Sequence, residues 1–562
     1  MTTIRAAEAG FQVDLFSLVP VKRSHSVCAQ GGINGAVNTK GEGDSPWQHF
    51  DDTVYGGDFL ANQPPVLGMC QAAPDIIYMF DRMGVPFNRT PEGLIDFRRF
   101  GGTQFHRTAF AGATTGQQLM YALDEQVRRW EVEGRVQKYE MWDFLGAVID
   151  DRGIARGIIA QDLHSMEIRA FRANAVVIAT GGLGVIFGKS TNSIINDGAP
   201  LSILYQQGLK YANPEFIQVH PTAIPGGDKN RLMSESIRGE GGRVWVYKDG
   251  KPWYFLEEKY PHYGNLVPRD IATREIFDVC VNQHLGIDGK NMVYLDVTHI
   301  PAEVLERKLG GVLEIYEKFV GDDPRKVPMK VFPTVHYNMG GLWVDYGMQS
   351  SVPGIFAAGE AEYQHHGANR LGANSLLSCI YDGMTVVPTI QKHLEGLDQD
   401  AWDLPESLFE AERKRVEERY ERIYRMDGKE NPYRIHQELG QVMTDNVTVV
   451  RYNDRLRETD AKLQELLERW ERIGTPDAGR WTNQSVQFTA HLYHMLQLAR
   501  AITLGALNRN ESRGAHYKPE FPQRDDEHWL KTTIATFTPD GPKFSYEAVD
   551  TSLIPPRPRK YD

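Results

Sequence analysis

One stretch limits what this chain can fold into more than any other: Ala175-Val176-Val177-Ile178-Ala179, an unbroken apolar run ending in Thr180-Gly181-Gly182. Apolar runs without alternation suit a strand buried on both faces, as in a parallel sheet covered by helices. Glycines at the carboxyl end of such a strand let a ligand approach the backbone closely. A second run of this kind, Gly354-Ile355-Phe356-Ala357-Ala358-Gly359-Glu360, again ends in glycine and an acid. Together they predict an α/β fold that is interrupted and then resumes.

The surrounding pattern agrees. A small-residue helix over Thr3 to Ala9 stops at Gly10 and leads to a strand over Val13 to Leu18, the second half of a β-α-β unit. Leu119, Leu123 and Val127 recur at a spacing of four and mark a helix through Trp130, while Phe144 to Ile149 and Gly157 to Ala160 read as a hairpin around Asp150-Asp151-Arg152-Gly153. From about 215 to 336 the texture turns to glycine, proline, aromatic and charged residues, with a strand at Val244 to Tyr247 and a helix at Ile271 to Val281, so this region reads as an insertion. Beyond about 396 the chain is helical: Glu406 to Arg425, Leu456 to Ile473, and Phe488 to Leu507 with Phe488, Leu492, Met495, Ala499 and Ile502 on one face. These helices read as an antiparallel bundle with solvated charged faces, and Pro555-Pro556-Arg557-Pro558 as an extended tail.

Composition sets bounds on partners. A chain of 562 residues has room for several cores, and no run of eighteen apolar residues marks a membrane span. Cys28, Cys70, Cys280 and Cys379 lie far apart without metal-ligand spacing, so neither a zinc site nor an iron–sulfur cluster is expected. A net charge of −12 argues against nucleic acid, and an anionic substrate would need a local group of cationic side chains. The first residues lack the apolar core of a secretion signal, which points to the cytoplasmic side.

Such groups exist. His25 lies in Arg23-Ser24-His25-Ser26-Val27-Cys28-Ala29-Gln30-Gly31-Gly32; His220-Pro221-Thr222, Ser234-Glu235-Ser236-Ile237-Arg238-Gly239-Glu240-Gly241-Gly242 and His336-Tyr337-Asn338-Met339-Gly340-Gly341 follow; Gly367-Ala368-Asn369-Arg370-Leu371-Gly372-Ala373-Asn374-Ser375-Leu376 closes the set. Singly, each histidine is as well read as a packed or solvated side chain, and each arginine as a surface ion pair. Collectively, arginines that bind carboxylates bidentately and histidines that add directed donors suit a small dicarboxylate held between two domains. If a flavin lies over the strand ends, the dicarboxylate can lose hydride from one face while a base takes the vicinal proton from the other. Arg238 is the expected base, with Glu235 three residues earlier as a relay, because a guanidinium normally stays protonated.

These motifs, in this order, resemble the flavoprotein subunit of succinate dehydrogenase and fumarate reductase, most of all the type of Gram-positive bacteria. The resemblance runs from about residue 3 to the C-terminus and includes Asn508-Arg509-Asn510-Glu511-Ser512-Arg513-Gly514-Ala515-His516. It implies an α/β FAD-binding, Rossmann-like domain (1–215 and 337–395) with an inserted α+β capping domain (216–336), a helical domain (396–520) and a C-terminal segment (521–562). It implies that His25 carries a covalent FAD and that Ser24, Ala29, Gly31, Gly32, Glu360, Ser375 and Leu376 contact the cofactor, with Ala179 and Gly181 near its adenosine half. His220, Ser234, Glu235, His336 and Arg370 would contact the dicarboxylate, and Arg238 would move the proton. The implied partners are an iron–sulfur subunit and a membrane anchor that pass electrons to quinone, which implies a peripheral place on the cytoplasmic face of the membrane.

Two departures stand out. Where many relatives read Asn-Thr-Gly-Asp-Gly, this chain reads Asn196-Asp197-Gly198-Ala199-Pro200, so that aspartate contact is not carried over. The family also begins with a strand and a glycine turn that hold the FAD pyrophosphate, and the expectation is that residues 1–562 lack both. Three or four such charge-assisted bonds are together worth about 5–12 kcal/mol of cofactor binding. The alternatives are therefore a flavin-free fragment or paralogue that only binds subunits, the fumarate reductase direction, or L-aspartate oxidase, from which an attachment histidine at His25 points away.

Overall fold

The computed structural model describes residues 1–562. Helix Thr2–Glu8 feeds strand Val13–Ser17, which pairs in parallel with Val136–Glu140. The first apolar run forms Val176–Ile178 and pairs in parallel with the second, Ile355–Ala357. Parallel neighbours need a crossover, and here the connection between the two partners holds the entire inserted region. The expected hairpin is present with longer arms: Trp142–Ile149 pairs with Ala155–Asp162, and Ile168–Arg172 adds a third strand. Asp150 sets its turn by accepting from the backbone N–H groups of Arg152 and Ile154 at 2.9 and 3.0 Å.

The insertion is a six-stranded antiparallel sheet with Ile217–Ile224 and Met329–Asn338 adjacent near one edge. Its own core runs from Ile224 to Val331 and includes Val244, Leu295, Leu309 and Leu313. The pairing of Ile217–Ile224 with Met329–Asn338 breaks register twice. Gln218 faces Tyr337 and Val219 faces Val335, so His336 is the extra residue of one bulge; His220 faces Thr334 and Ala223 faces Phe332, so Pro221 and Thr222 form the second. Bulges re-aim side chains, and Pro221, having no N–H to give a ladder, is tolerated at one. Both histidines of the expected site thus sit where the sheet deviates.

The later helices are Glu406–Tyr424, Pro432–Asn446, Asn453–Trp470 and Gln484–Asn508. The last differs from its expected one-faced character. Buried residues from Val486 to Ala506 go most of the way round it, and its apolar side chains join the same core as Val176, Ile178 and Phe356. A helix apolar on most sides is a central one. Ahead of the extended end at Pro555 to Pro558, the C-terminal segment holds a hairpin: Lys531–Thr536 pairs with Lys543–Ala548 and with Tyr211–Ala212. The following residues then run to the insertion, where Tyr561 is 3% exposed between Tyr55 and Tyr263 and Arg559 bonds the Gly56 carbonyl and the carboxylate of Asp270.

Candidate active site

His25 opens a short helical turn, His25–Cys28, against the N-terminal end of helix Thr115–Val132. The approach is close: Gly116 N–H donates to the Ala29 carbonyl at 2.9 Å, and a Cβ on Gly116 would fall 1.9 Å from the Ser26 carbonyl. Arg98 fixes the next residues by donating to the Gly31 and Gln30 carbonyls while its guanidinium lies 4.0 Å over the Phe110 ring. Gly32 adopts φ +140° against the Ala109 carbonyl. Ser24 turns away from this turn, its hydroxyl 3.9 Å from Met120 Sδ. The His25 ring accepts at Nδ1 from the Ser193 backbone N–H at 3.2 Å, which places its proton on Nε2, 3.4 Å from Asn192 Nδ2. Burial and the nearby Lys229 push it down to about 4, so the imidazole is neutral.

The two apolar strands end together. Asn338 joins them, its Oδ1 accepting from Leu183 N–H and its own N–H donating to Glu360 Oε1 at 3.1 Å. A Cβ on Gly182 would fall 2.4 Å from Glu360 Oε1, so only glycine fits. Burial pushes Glu360 up to about 7. Ala179 is exposed at its strand end and Gly181 follows at φ +76°. Ser375 and Leu376 lie in the first turn of helix Asn374–Glu395, which starts from Ala373 at φ +65° without a side-chain cap.

The remaining expected residues converge. His220 Nδ1 accepts from Thr222 N–H at 3.1 Å; a backbone amide only donates, so the ring proton is on Nε2, which has no partner in the protein. His336 packs edge-on to His220 with ring centroids 5.0 Å apart. Burial first and Arg269 second hold both rings well below the ordinary histidine range. Arg370 Nε is buried without a partner and its guanidinium lies 4.3 Å over Tyr337; burial and Arg269 push it down to about 9. Arg238 donates through Nη1 to the Asn265 carbonyl at 2.7 Å and leaves Nε and Nη2 unpaired. The Ser234 hydroxyl accepts from Ser236 at 2.7 Å and lies 3.7 Å from where a Gly31 Cβ would be.

Glu235 is the centre of the charged group. It accepts from Gly101 N–H at 2.6 Å and from Arg269 Nε at 2.6 Å, and it lies 3.6 Å from Arg238 Nη2. Burial alone would raise it, but Arg269 and Arg238 outweigh that and hold its carboxyl below the usual range. Cβ atoms on Gly101 and Gly372 would meet its oxygens at 2.4 and 2.5 Å, which explains the glycine in each neighbouring loop.

Arg269 was absent from the expected set. It is the first residue of helix Arg269–Phe277, and its Nη1 donates to Gln218 Oε1 at 3.0 Å. The expected helix began at Ile271; Pro268, directly before Arg269, is the start signal that would have placed it. Thr191, Asn192, Ser193, Gln218 and Thr222 were missed as well, because each acts through a backbone group or another side chain.

The arrangement holds two guanidiniums, Arg238 and Arg269, against the Glu235 carboxylate, with a third on Arg370 and the free His220 Nε2–H buried nearby, between the insertion and the α/β region. Two positive charges are left uncompensated in a buried place. An excess of buried, unpaired cationic donors suits a small anion, which would pair the donors that otherwise remain desolvated.

The chain matches the FAD binding domain family over residues 1–376 and the fumarate reductase flavoprotein C-terminal family over residues 436–561. It is 69% identical over 563 residues to the succinate dehydrogenase flavoprotein subunit of Bacillus subtilis, covering 100% of this chain and 96% of that protein. It is 33% identical to the fumarate reductase flavoprotein subunit of Escherichia coli, covering 99% and 93% of the two chains. Among solved structures, E. coli quinol fumarate reductase superposes with a TM-score of 0.92 at 32% identity over 99% of this chain and 96% of that one. Mycobacterium smegmatis Sdh1 in complex with UQ1 does so with a TM-score of 0.84 at 29% identity over 99% and 93%.

Proposed function

The chain belongs to the family of succinate dehydrogenase and fumarate reductase flavoprotein subunits, and from that premise we propose that it oxidises succinate to fumarate as an FAD-dependent enzyme. The observation that carries this reading is the set of unpaired, buried donors on His220, Arg238 and Arg370 beside the Glu235–Arg269 pair. The lobe boundaries given above, with capping residues 216–336 between the two parts of the FAD-binding domain, are part of the proposal.

The residues present fit FAD. The glycine-lined strand ends at Gly181, Gly182 and Glu360 and the uncapped first turn at Ser375 and Leu376 would hold it, the latter through free amides at the positive end of a helix of 22 residues. When bound, FAD supplies the hydride acceptor. His25 would hold it covalently through Nε2: an imidazole substituted there keeps a bare Nδ1, which matches the donor from Ser193.

Arg370 and the two Nε2–H groups orient the substrate carboxylates, and their fixed positions remove the freedom a dicarboxylate has in water. Arg269 spends Nε on Glu235 and Nη1 on Gln218 and makes no hydrogen bond through Nη2, which leaves that end to meet the reacting carbon. It passes the vicinal proton to Glu235, and Arg238 beyond Glu235 takes it on. Arg238, expected to be the base, becomes the outer member of a three-residue path. Burial lowers the Arg238 guanidinium from its usual range, which eases proton exchange there.

No helix is long and apolar enough to cross a membrane. Electrons then leave through an iron–sulfur subunit and a membrane anchor to quinone, with the flavoprotein peripheral on the cytoplasmic face. The test is to precipitate the purified chain in acid, look for retained flavin fluorescence, and assay succinate-dependent dye reduction. Both signals are expected; well-folded, colourless protein sinks the reading.

A further inference from the structure

His25 and His336 come from different parts of the fold, the first from the turn after Val13–Ser17 and the second from a bulge in the inserted sheet. One short stretch, Ser190 to Ser193, touches both. Ser193 N–H donates to His25 Nδ1 at 3.2 Å. Asn192 Nδ2 donates to the His336 carbonyl at 2.7 Å, while its Oδ1 accepts from Gly184 N–H at 3.0 Å, which fixes the amide orientation. A Cβ on Gly184 would fall 2.1 Å from that Oδ1, so the bond depends on glycine there. The Thr191 hydroxyl lies 2.5 Å from His336 Nδ1 and 3.5 Å from the Val335 carbonyl.

A threonine hydroxyl has one proton to give. Two acceptors lie within its reach, Nδ1 at the 2.5 Å of a strong hydrogen bond and the Val335 carbonyl at 3.5 Å, the limit of any. The Val335 carbonyl already accepts from the Thr191 backbone N–H at 3.1 Å, so the hydroxyl is free to donate to Nδ1, the arrangement that leaves the proton of a neutral His336 on Nε2. This is the tautomer that Thr222 imposes on His220 through its backbone amide. The two neighbouring rings present matched N–H donors, one fixed by main chain and one by a single side chain.

We propose that Thr191 is a positioning residue for dicarboxylate binding, setting the His336 tautomer, and that Ser190 to Ser193 aligns the substrate histidine with the histidine proposed to carry the flavin. The inference rests on the reading of His336 as a substrate ligand and assigns a role to a residue that does not itself touch substrate.

Thr191→Val keeps the shape and removes the hydroxyl. Measured on the holoenzyme, it raises KM for succinate and Ki for malonate about 5- to 10-fold, the effect of one lost hydrogen bond, and leaves kcat within about 2-fold. Thr191→Ser restores both constants to within about 2-fold, and Thr191→Ala repeats the loss if valine disturbs folding. In a His336→Ala background, Thr191→Val has no further effect on KM, which a general structural role would not produce. Unchanged constants in both the valine and alanine variants, or an equal rise with and without His336, overturn the proposal. His336→Ala alone separates the two readings: if it leaves KM unchanged, the dicarboxylate site itself is misassigned; if it raises KM while Thr191→Val does not, only the present inference falls.

Discussion

Two buried histidine environments in this molecule use the same side chain in opposite ways. At the candidate active site, His220 accepts a hydrogen bond at Nδ1 and His336 has the Thr191 hydroxyl there, both lie among arginines and are held neutral, and His220 Nε2 has no protein partner. In the helical region, His491 donates from Nδ1 to Asp197 at 2.5 Å and from Nε2 to Asp143 at 2.7 Å, and those two carboxylates overcome burial to hold it well above the ordinary range. The second group is saturated: it joins the hairpin strand of Asp143, the loop of Asp197 and the central helix. The first is left incomplete, and incompleteness at full burial marks a binding site where satisfaction marks a structural one.

The largest effect belongs to the unsaturated group. Arg269→Gln and Glu235→Gln should each lower turnover roughly 100- to 10,000-fold with flavin retained, read by dye reduction beside flavin content. Arg238→Gln should lose less than Arg269→Gln if it is the outer member of the path; the reverse order would restore Arg238 as the base. Next comes the saturated group. His491→Leu leaves two buried carboxylates without their cation and should cost about 3–5 kcal/mol of stability, seen as a lower Tm, while KM in the surviving protein is unchanged. A shifted KM with an unchanged Tm would erase the contrast.

Proton linkage gives the two environments opposite signs. His220 and His336 titrate lower folded than unfolded, so the unfolded state binds more protons as pH falls below about 6.5, and stability drops toward acid. His491 titrates higher folded than unfolded; its contribution is complete below about pH 6.5 and is lost as pH rises through its folded-state value. Tm against pH should therefore lose its alkaline slope in a His491→Gln variant and keep its acid slope. The smallest effect is at His494, whose Nδ1 accepts from Gln206 Nε2 at 2.9 Å. Gln206→Met should cost about 1 kcal/mol and leave kcat untouched; a change in kcat would mean the neutral helical histidine is wired to the site after all.

Much of this was legible in sequence for a definite reason. Buried parallel strands write themselves as apolar runs, and the Ala175 and Gly354 runs both form strands, which the structure pairs with each other. Glycine-bounded histidines and arginines mark loops, so His220, Glu235, His336 and Arg370 could be grouped before any coordinates. Residues that act through a second residue leave no such signal. Thr191 and Asn192 read as ordinary loop residues, and Arg269 reads as a helix-start charge, until Glu235 and His336 are seen beside them. Nor does periodicity reveal bulges: the offset of His336 depends on a partner strand more than a hundred residues away.

The C-terminal clasp bears on the order in which the molecule can be finished. Arg559 lies between Asp58 and Asp270, one from the α/β region and one from the insertion, and Tyr561 fills the insertion's core. A ribosome releases this segment only after both regions it joins have emerged. Asp270 is the immediate neighbour of Arg269, so the insertion can form its sheet and its bonds to the strand ends first, and the Arg559 contact is the last of these to close. During synthesis the carboxylate next to Arg269 waits for its Arg559 partner on a part of the chain that is translated almost three hundred residues after it.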